Sequence, residues 1–169
     1  MERRFTIASA LDRDIQQKAI FAGVFAIENL TLDGNKANND NLDGNYAGCI
    51  FLQDCNRVAI REVHARNYNG DGISWQVCHD VLVENCVSEN HTGLGLHPGS
   101  GSQRTIMRSN RLVGNHIGIF FCWGVRQGLA EKNHVEGNNI GISIGHRDTD
   151  NTVRNNDVTG SKKVGLLFR

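Results

Sequence analysis

Asn90-His-Thr-Gly93-Leu94, Asn115-His-Ile-Gly118-Ile119 and Asn138-Asn-Ile-Gly141-Ile142 are one motif, Asn-x-x-Gly-[Ile/Leu], written three times at spacings of 25 and 23 residues. A fixed period near this length marks a solenoid, in which each repeat buries its apolar face only against its neighbours. The period runs outward in both directions. Gln53, Cys55, Val58, Ile60, Val63 and Asn67 recur 23 residues later as Gln76, Cys78, Val81, Val83, Cys86 and Asn90. Asn133-His-Val-Glu-Gly-Asn138 recurs, again shifted by 23, as Asn156-Asp-Val-Thr-Gly-Ser161.

Short apolar segments sit at the same place in successive repeats: Ile50-Phe-Leu52, Ile73-Ser-Trp75, Leu94-Gly-Leu96, Ile119-Phe-Phe121, Ile142-Ser-Ile144 and Leu166-Leu-Phe168. Large apolar residues at first and third place are the period-two signal of a strand. Gly72, Gly93, Gly118, Gly141 and Gly165 precede them, and glycine beside asparagine marks turns with unusual backbone angles. No repeat holds the roughly 10–12 residues of helical period that a helical solenoid needs. Each coil must close with three short strands and three turns. Stacked at about 4.8 Å, about six such coils give an all-β, single-stranded parallel β-helix roughly 29 Å long. Like residues then stack on like, and an inward asparagine ladder is favourable because side-chain amides hydrogen-bond along the stack.

With these coils, the chain resembles the right-handed parallel β-helix proteins of the pectate-lyase-like (pectin-lyase-like) superfamily over about residues 24–169. The stretch Glu28-Asn-Leu-Thr-Leu-Asp-Gly-Asn-Lys-Ala-Asn-Asn39 is similar to the opening coil of mannuronan C5-epimerase modules. The resemblance implies activity on an acidic polysaccharide and favours a secreted or extracytoplasmic location. In such enzymes substrate lies across the outer face of one stacked sheet, with acids and bases from adjacent rungs.

The 169 residues suit one core, with residues 1–23 as an N-terminal strand and cap segment and 24–169 as the β-helix. Phe5-Thr-Ile7 reads as a strand, Asp12 to Ala22 as a short capping helix, and Lys36 to Tyr46 as an inserted polar loop. Eighteen basic residues balance eighteen acidic ones, so nothing favours nucleic acid or an anionic membrane. No apolar run is long enough to span a bilayer, and the charged start Met1-Glu-Arg-Arg with Asp12-Arg-Asp is not read as a signal peptide. The strand ending at Phe168 has no polar cap after it, which points to a fragment of a longer protein or to end-to-end self-association.

Five cysteines without a Cys-x-x-Cys exclude a zinc ribbon. Cys55 and Cys78 share one repeat position and are read as a buried thiol stack, with a disulfide as the alternative. The loop His97-Pro-Gly-Ser-Gly-Ser-Gln103 follows a strand but opens no helix, so nucleotide binding is rejected. Neither a cofactor nor a metal is expected.

Strand parity places Ser74, Gln76, His97, Phe120, Cys122 and Ser143 outward and Trp75 inward. The candidate catalytic residues are Asp71, His91, His97 and His116. Asn69-Gly-Asp71-Gly72 is similar to the Asn-Thr-Asp-Gly of polygalacturonases, whose aspartate is catalytic. Their second carboxylates are replaced here by Asn90-His-Thr92, and hydrolysis in that manner needs a pair. The Tyr-Gly-Phe-Asp-Pro-His of the epimerases is likewise replaced, by Asp71-Gly-Ile-Ser-Trp-Gln76. A histidine can take the C5 proton instead. His91 and His116 each lie second before the motif glycine, so they are expected to stack as a shared base or as two turn histidines in register. Candidate substrate-binding residues are Gln76, Phe120, Trp123, Arg126, His146 and Arg147, with aromatic faces for sugar and basic groups for a uronate. His64, His79 and His134 read as turn or surface residues without partners. The partner implied is a polysaccharide or oligosaccharide, and the alternative is a non-catalytic glycan-binding or structural β-helix of tailspike type.

Overall fold

Each coil spends its residues on three short strands, and strand stacking from coil to coil supplies most of the backbone hydrogen bonds. The computed structural model describes residues 5–6, 25–41 and 48–169. Strands are numbered in chain order. The first side of the solenoid is a six-stranded parallel sheet of β3 (Gly48–Gln53), β5 (Asp71–Gln76), β8 (Leu94–Gly99), β11 (Ile117–Phe121), β14 (Ile140–Ile144) and β17 (Val164–Phe168). The second side stacks β6 (His79–Glu84), β9 (Ile106–Arg108), β12 (Leu129–Glu131) and β15 (Thr152–Arg154). The third stacks β7 (Val87–Glu89), β10 (Arg111–Val113), β13 (His134–Glu136) and β16 (Asp157–Thr159). The long β4 (Asn56–Arg66) serves two sides: its first half pairs with β6 and its second with β7. β2 (Phe25–Asp33) runs along β4, and β1 (Phe5–Thr6) pairs antiparallel with β2 at Ala26 and Ile27. Six strands on the first side bound about five turns. A single 3-10 turn, Lys36–Asn38, is the helical element among the described residues. The expected capping helix at Asp12 to Ala22 lies outside them, as does part of the loop at 36–46.

The interior is filled by the residues of inward parity. Ile73, Trp75, Leu96, Ile119, Phe121 and Ile142 come from the first side, and Val83, Met107, Leu112 and Val135 come from the others. The corner between the second and third sides repeats one conformation. Glu62, Asn85, Ser109, Lys132 and Asn155 all adopt left-handed φ values between 53° and 55°. At Ser109, Lys132 and Asn155 the cost of roughly 1–2 kcal/mol for a non-glycine residue there is offset by the asparagine that follows. Asn133 Oδ1 accepts from both the backbone N–H and the side-chain amide of Asn110, while its own amide donates to Met107 O and Asn156 Oδ1. Asn115 and Asn138 form a second such ladder at the next corner. The asparagine ladder read from the sequence is therefore present, buried and bonded on both sides.

Outside, one column alternates in sign: Glu28, Arg61, Glu84, Arg108, Glu131 and Arg154 occupy successive rungs. Ion pairs of 2.6 to 3.6 Å link Arg61 to both glutamates, and pairs of 2.7 and 2.9 Å join Arg108 to Glu84 and Arg154 to Glu131. Each exposed pair is worth only about 0.5 kcal/mol. A slip of one whole rung would set like charges side by side, so the column disfavours misregister. His64 and His134, expected to lack partners, join acids instead: His64 to Glu89 at 2.8 Å, and His134 to Asp157 at 3.0 Å.

The register corrects one alignment. Ile119 pairs with Leu96, and Leu94 pairs with Ile117. Gly95, not Gly93, is thus the counterpart of Gly118. A Cβ at Gly95 would lie 2.6 Å from Gly118 O and 2.9 Å from Asn115 Nδ2, so only glycine lets the strand pass so close to the ladder. The motif at Asn90 is displaced by two residues from the other copies.

The ladder makes a stability prediction. Asn133→Ala removes an acceptor and a donor from buried backbone groups and should destabilise by about 2–4 kcal/mol, whereas Thr152→Ala on the exposed side should change stability by under about 0.5 kcal/mol. Chemical denaturation of the two variants checks this.

Candidate active site on the first sheet

The outer face of the first sheet carries a column of Phe51, Ser74, His97, Phe120, Ser143 and Leu167, one from each rung. His97 sits at its centre. Its Nδ1 lies 2.7 Å from Asp71 Oδ2, and the other carboxylate oxygen of Asp71 accepts the Leu94 backbone N–H at 2.9 Å. Asp71 is the direct rung neighbour of Leu94, so the carboxylate reaches forward while His97, three residues along the next strand, reaches back. An oriented carboxylate fixes Nδ1 as the donor and leaves Nε2 with its lone pair. Ser74 Oγ is 3.5 Å from Nδ1, beyond a good hydrogen bond.

The ring is enclosed between Ser74 on the preceding rung and Phe120 on the next. Phe120 stacks on it at 5.9 Å between centroids and 13° between planes. His97 exposes 2% of its surface and Asp71 6%. The strand parity expected for His97 and Phe120 holds, but the expected openness does not: His97 is buried and Phe120 half-buried, with the Arg169 guanidinium 4.8 Å above the Phe120 ring. Gln76 is also buried. Its amide occupies the space left by Gly99, where a Cβ would fall 2.5 Å from Oε1. His97 Nε2, both amide atoms of Gln76 and Ser143 Oγ are buried without a hydrogen-bond partner. Unpaired buried polar atoms are costly in a folded interior, and His97 is the one of these that a carboxylate orients.

A sequence model for the right-handed beta helix region matches residues 22–169. The chain belongs to that right-handed β-helix family. Searches of curated proteins and of solved structures find no match to it.

The other candidates of this β-helix separate. His91 and His116 do not stack, because the two-residue displacement pairs His116 with Gly93. His116 is exposed, with Asn139 Nδ2 at 3.2 Å from its Nδ1. His91 is buried beneath Gly72, where its Nδ1 accepts the Tyr68 N–H at 3.2 Å and its Nε2 has no partner. It borders Asp71 from inside the coil but does not join the His97 face. Trp75 is fully buried, as parity required. Trp123 is 54% exposed and stacks on His146 at 5.0 Å and 7°. Arg126 and Arg147 are exposed on the same row of turns, without an ion pair among the described residues. Asp148 is tied to the backbone N–H groups of Val125 and Gly145, and burial raises its pKa. Burial pushes the Cys122 thiol up to about 11, which favours its neutral form. The cysteines are all free; Cys78 is buried and Cys55 half-buried, with the Cys55 N–H donating to Cys78 Sγ at 3.3 Å. No group of three or more His, Cys, Asp or Glu able to hold a metal occurs among the described residues. No helix among them is long and apolar enough to cross a membrane.

Burial lowers the His91 pKa to about 4, from an ordinary value near 6.5. The unfolded chain therefore binds this proton more readily than the folded one. The contribution is complete above about pH 6.5 and is lost as the pH falls to about 4, a change on the order of 3 kcal/mol. Urea unfolding at pH 7 and pH 4 should show this loss, and His91→Gln should remove that part of the pH dependence.

Proposed function

We propose that the protein is an enzyme acting on a uronate-containing polysaccharide or oligosaccharide, with His97 as the general base and Asp71 as the residue that orients it. The observation that carries the reading is the 2.7 Å bond from His97 Nδ1 to Asp71, together with a buried Nε2 that has no hydrogen-bond partner. One histidine with one carboxylate suits abstraction of the C5 proton, the step shared by lyases and epimerases. It does not suit hydrolysis by paired carboxylates, since Asp71 is already engaged by His97 and by a backbone N–H. The Trp123–His146 stack gives a sugar-sized apolar face, and Arg126 and Arg147 offer guanidinium donors to a carboxylate. Neutralising that carboxylate would acidify the C5 proton.

A second reading has one observation in its favour. The burial of His97 and Asp71 also suits a structural pair in a non-catalytic glycan-binding β-helix, and fold alone does not assign activity.

Alginate and pectin oligomers distinguish the two. The enzyme reading expects unsaturated or epimerised product, loss of about 10²–10⁴-fold in rate for His97→Ala, a smaller loss for Asp71→Asn, and oligomer binding retained in both. The distant His79→Ala should leave the rate unchanged. Binding by the wild-type chain with no turnover on any uronate polymer would select the second reading, and absence of both would remove the site.

A further inference from the structure

The turns that follow the first sheet change shape partway along the solenoid. One coil passes from Gln76 to His79 in three steps. The next needs four between their rung partners Gly99 and Gln103, and the one after needs four between Cys122 and Arg126. The added residue raises a stack of tight turns with Ser100-Gly101, Trp123-Gly124 and His146-Arg147 at their tips. Both tip residues are left-handed in each turn, with φ of 45° and 76°, 67° and 79°, and 57° and 72°. Asparagine and glycine take that conformation at least cost, whereas tryptophan, histidine and arginine do not. Trp123 is 54% exposed and lies outside the core cluster. Its bulk therefore does nothing to hold the interior together, and backbone strain of this kind gathers at binding sites.

Trp123 has one ring face occupied and one free. The three tips follow one another along the solenoid, tied by the bonds from Gly101 N–H to Trp123 O and from Gly124 N–H to His146 O. His146, on the following coil, stacks on Trp123 at 5.0 Å between centroids and 7° between planes. The opposite face of the indole turns toward the preceding tip, where Ser100-Gly101 carries no ring and a Cβ at Gly101 would meet nothing within 4 Å. Trp123 and His146 set one ring per coil, so the open place over Ser100-Gly101 takes one ring more. Arg126 and Arg147 are exposed on the same turns, with no ion pair among the described residues. We infer that this place binds one pyranose ring of an acidic oligosaccharide, its apolar C–H face on Trp123 and its carboxylate on these guanidinium groups.

The inference rests on the acidic-glycan reading above and adds an anchoring subsite to it. Ser100 lies three residues beyond His97 on the same coil, roughly 10 Å along the chain. One sugar cannot reach both places. The ring anchored on Trp123 and the ring whose C5 proton His97 removes are therefore different units of one chain, with at least one unit between them, and that chain runs with the strands across the coils. Trp123 is thus a binding residue that sets substrate length, and a disaccharide is too short to use it together with His97.

Fluorescence reads the subsite directly, because the chain has two tryptophans and Trp75 is fully buried. Titration of the His97→Ala chain with alginate or pectin tetrasaccharides, free of turnover, should change the Trp123 emission. Disaccharides and a neutral glucose tetrasaccharide should each bind at least about tenfold more weakly. By calorimetry, Trp123→Ala should weaken tetrasaccharide binding about tenfold, and Ser100→Phe, which fills the open place and keeps Trp123, should do the same. With His97 intact, Trp123→Ala should raise KM for the tetrasaccharide and leave kcat unchanged. Far-UV circular dichroism of both variants should match the wild type. Tetrasaccharide binding without a change in emission, either variant binding like the wild type, or equal binding of the disaccharide or the neutral oligomer overturns the subsite and leaves the reading of His97 standing. Failure of every uronate oligomer to bind overturns both.

Discussion

A single constraint governs this chain: the backbone hydrogen bonds that tie each residue to another about 23 positions later. Because the coils make few bonds within themselves, this register decides which side chains meet. It stacks Asn110, Asn133 and Asn156 into a bonded ladder, alternates acid and base along the outer column from Glu28 to Arg154, and keeps like apolar residues in one core. None of these contributions is large alone. They agree with one another, and a slip of the stack would break them together.

The same register builds the candidate site. Asp71 and His97 stand 26 residues apart and occupy different repeat positions, yet the parallel stack brings them within hydrogen-bond distance. The rigid sheet beneath holds the geometry, and the ring is closed in by Ser74 and Phe120 from the rungs on either side. Precise placement on strands is what an oriented base requires. The cost is visible in the unpaired buried atoms of Gln76, His97 and Ser143, which the core itself has no need of.

The fold was legible because a 23-residue period, period-two strands and recurring Asn and Gly are local signals. The register was less so. Gly93-Leu-Gly-Leu96 offers two Gly-Leu pairs two residues apart, and a two-residue slip keeps every side chain on its own face, so alternation cannot choose between them. Only pairing in space selects Gly95 and Leu96, and with that choice the expected His91–His116 stack dissolves. Asp71 and His97 were each recognisable as candidates from residue type and parity, but not as a bonded pair, because their contact crosses repeat positions. The burial of His97 was hidden too, since it depends on Phe120 folding over the ring. The charge column had a sequence signal that was missed: the alternation of Glu84, Arg108, Glu131 and Arg154 at spacings of 23 and 24 residues.

The tautomers of the two buried histidines test the account most directly, through nitrogen NMR of the imidazole rings at neutral pH. The register predicts opposite states. His97 should carry its proton on Nδ1, held by Asp71, with a bare Nε2, and His91 should carry its proton on Nε2, with Nδ1 accepting from Tyr68. A proton on Nε2 of His97, or a ring averaging freely between tautomers in water, would contradict the pairing of Asp71 with His97 and the site built on it.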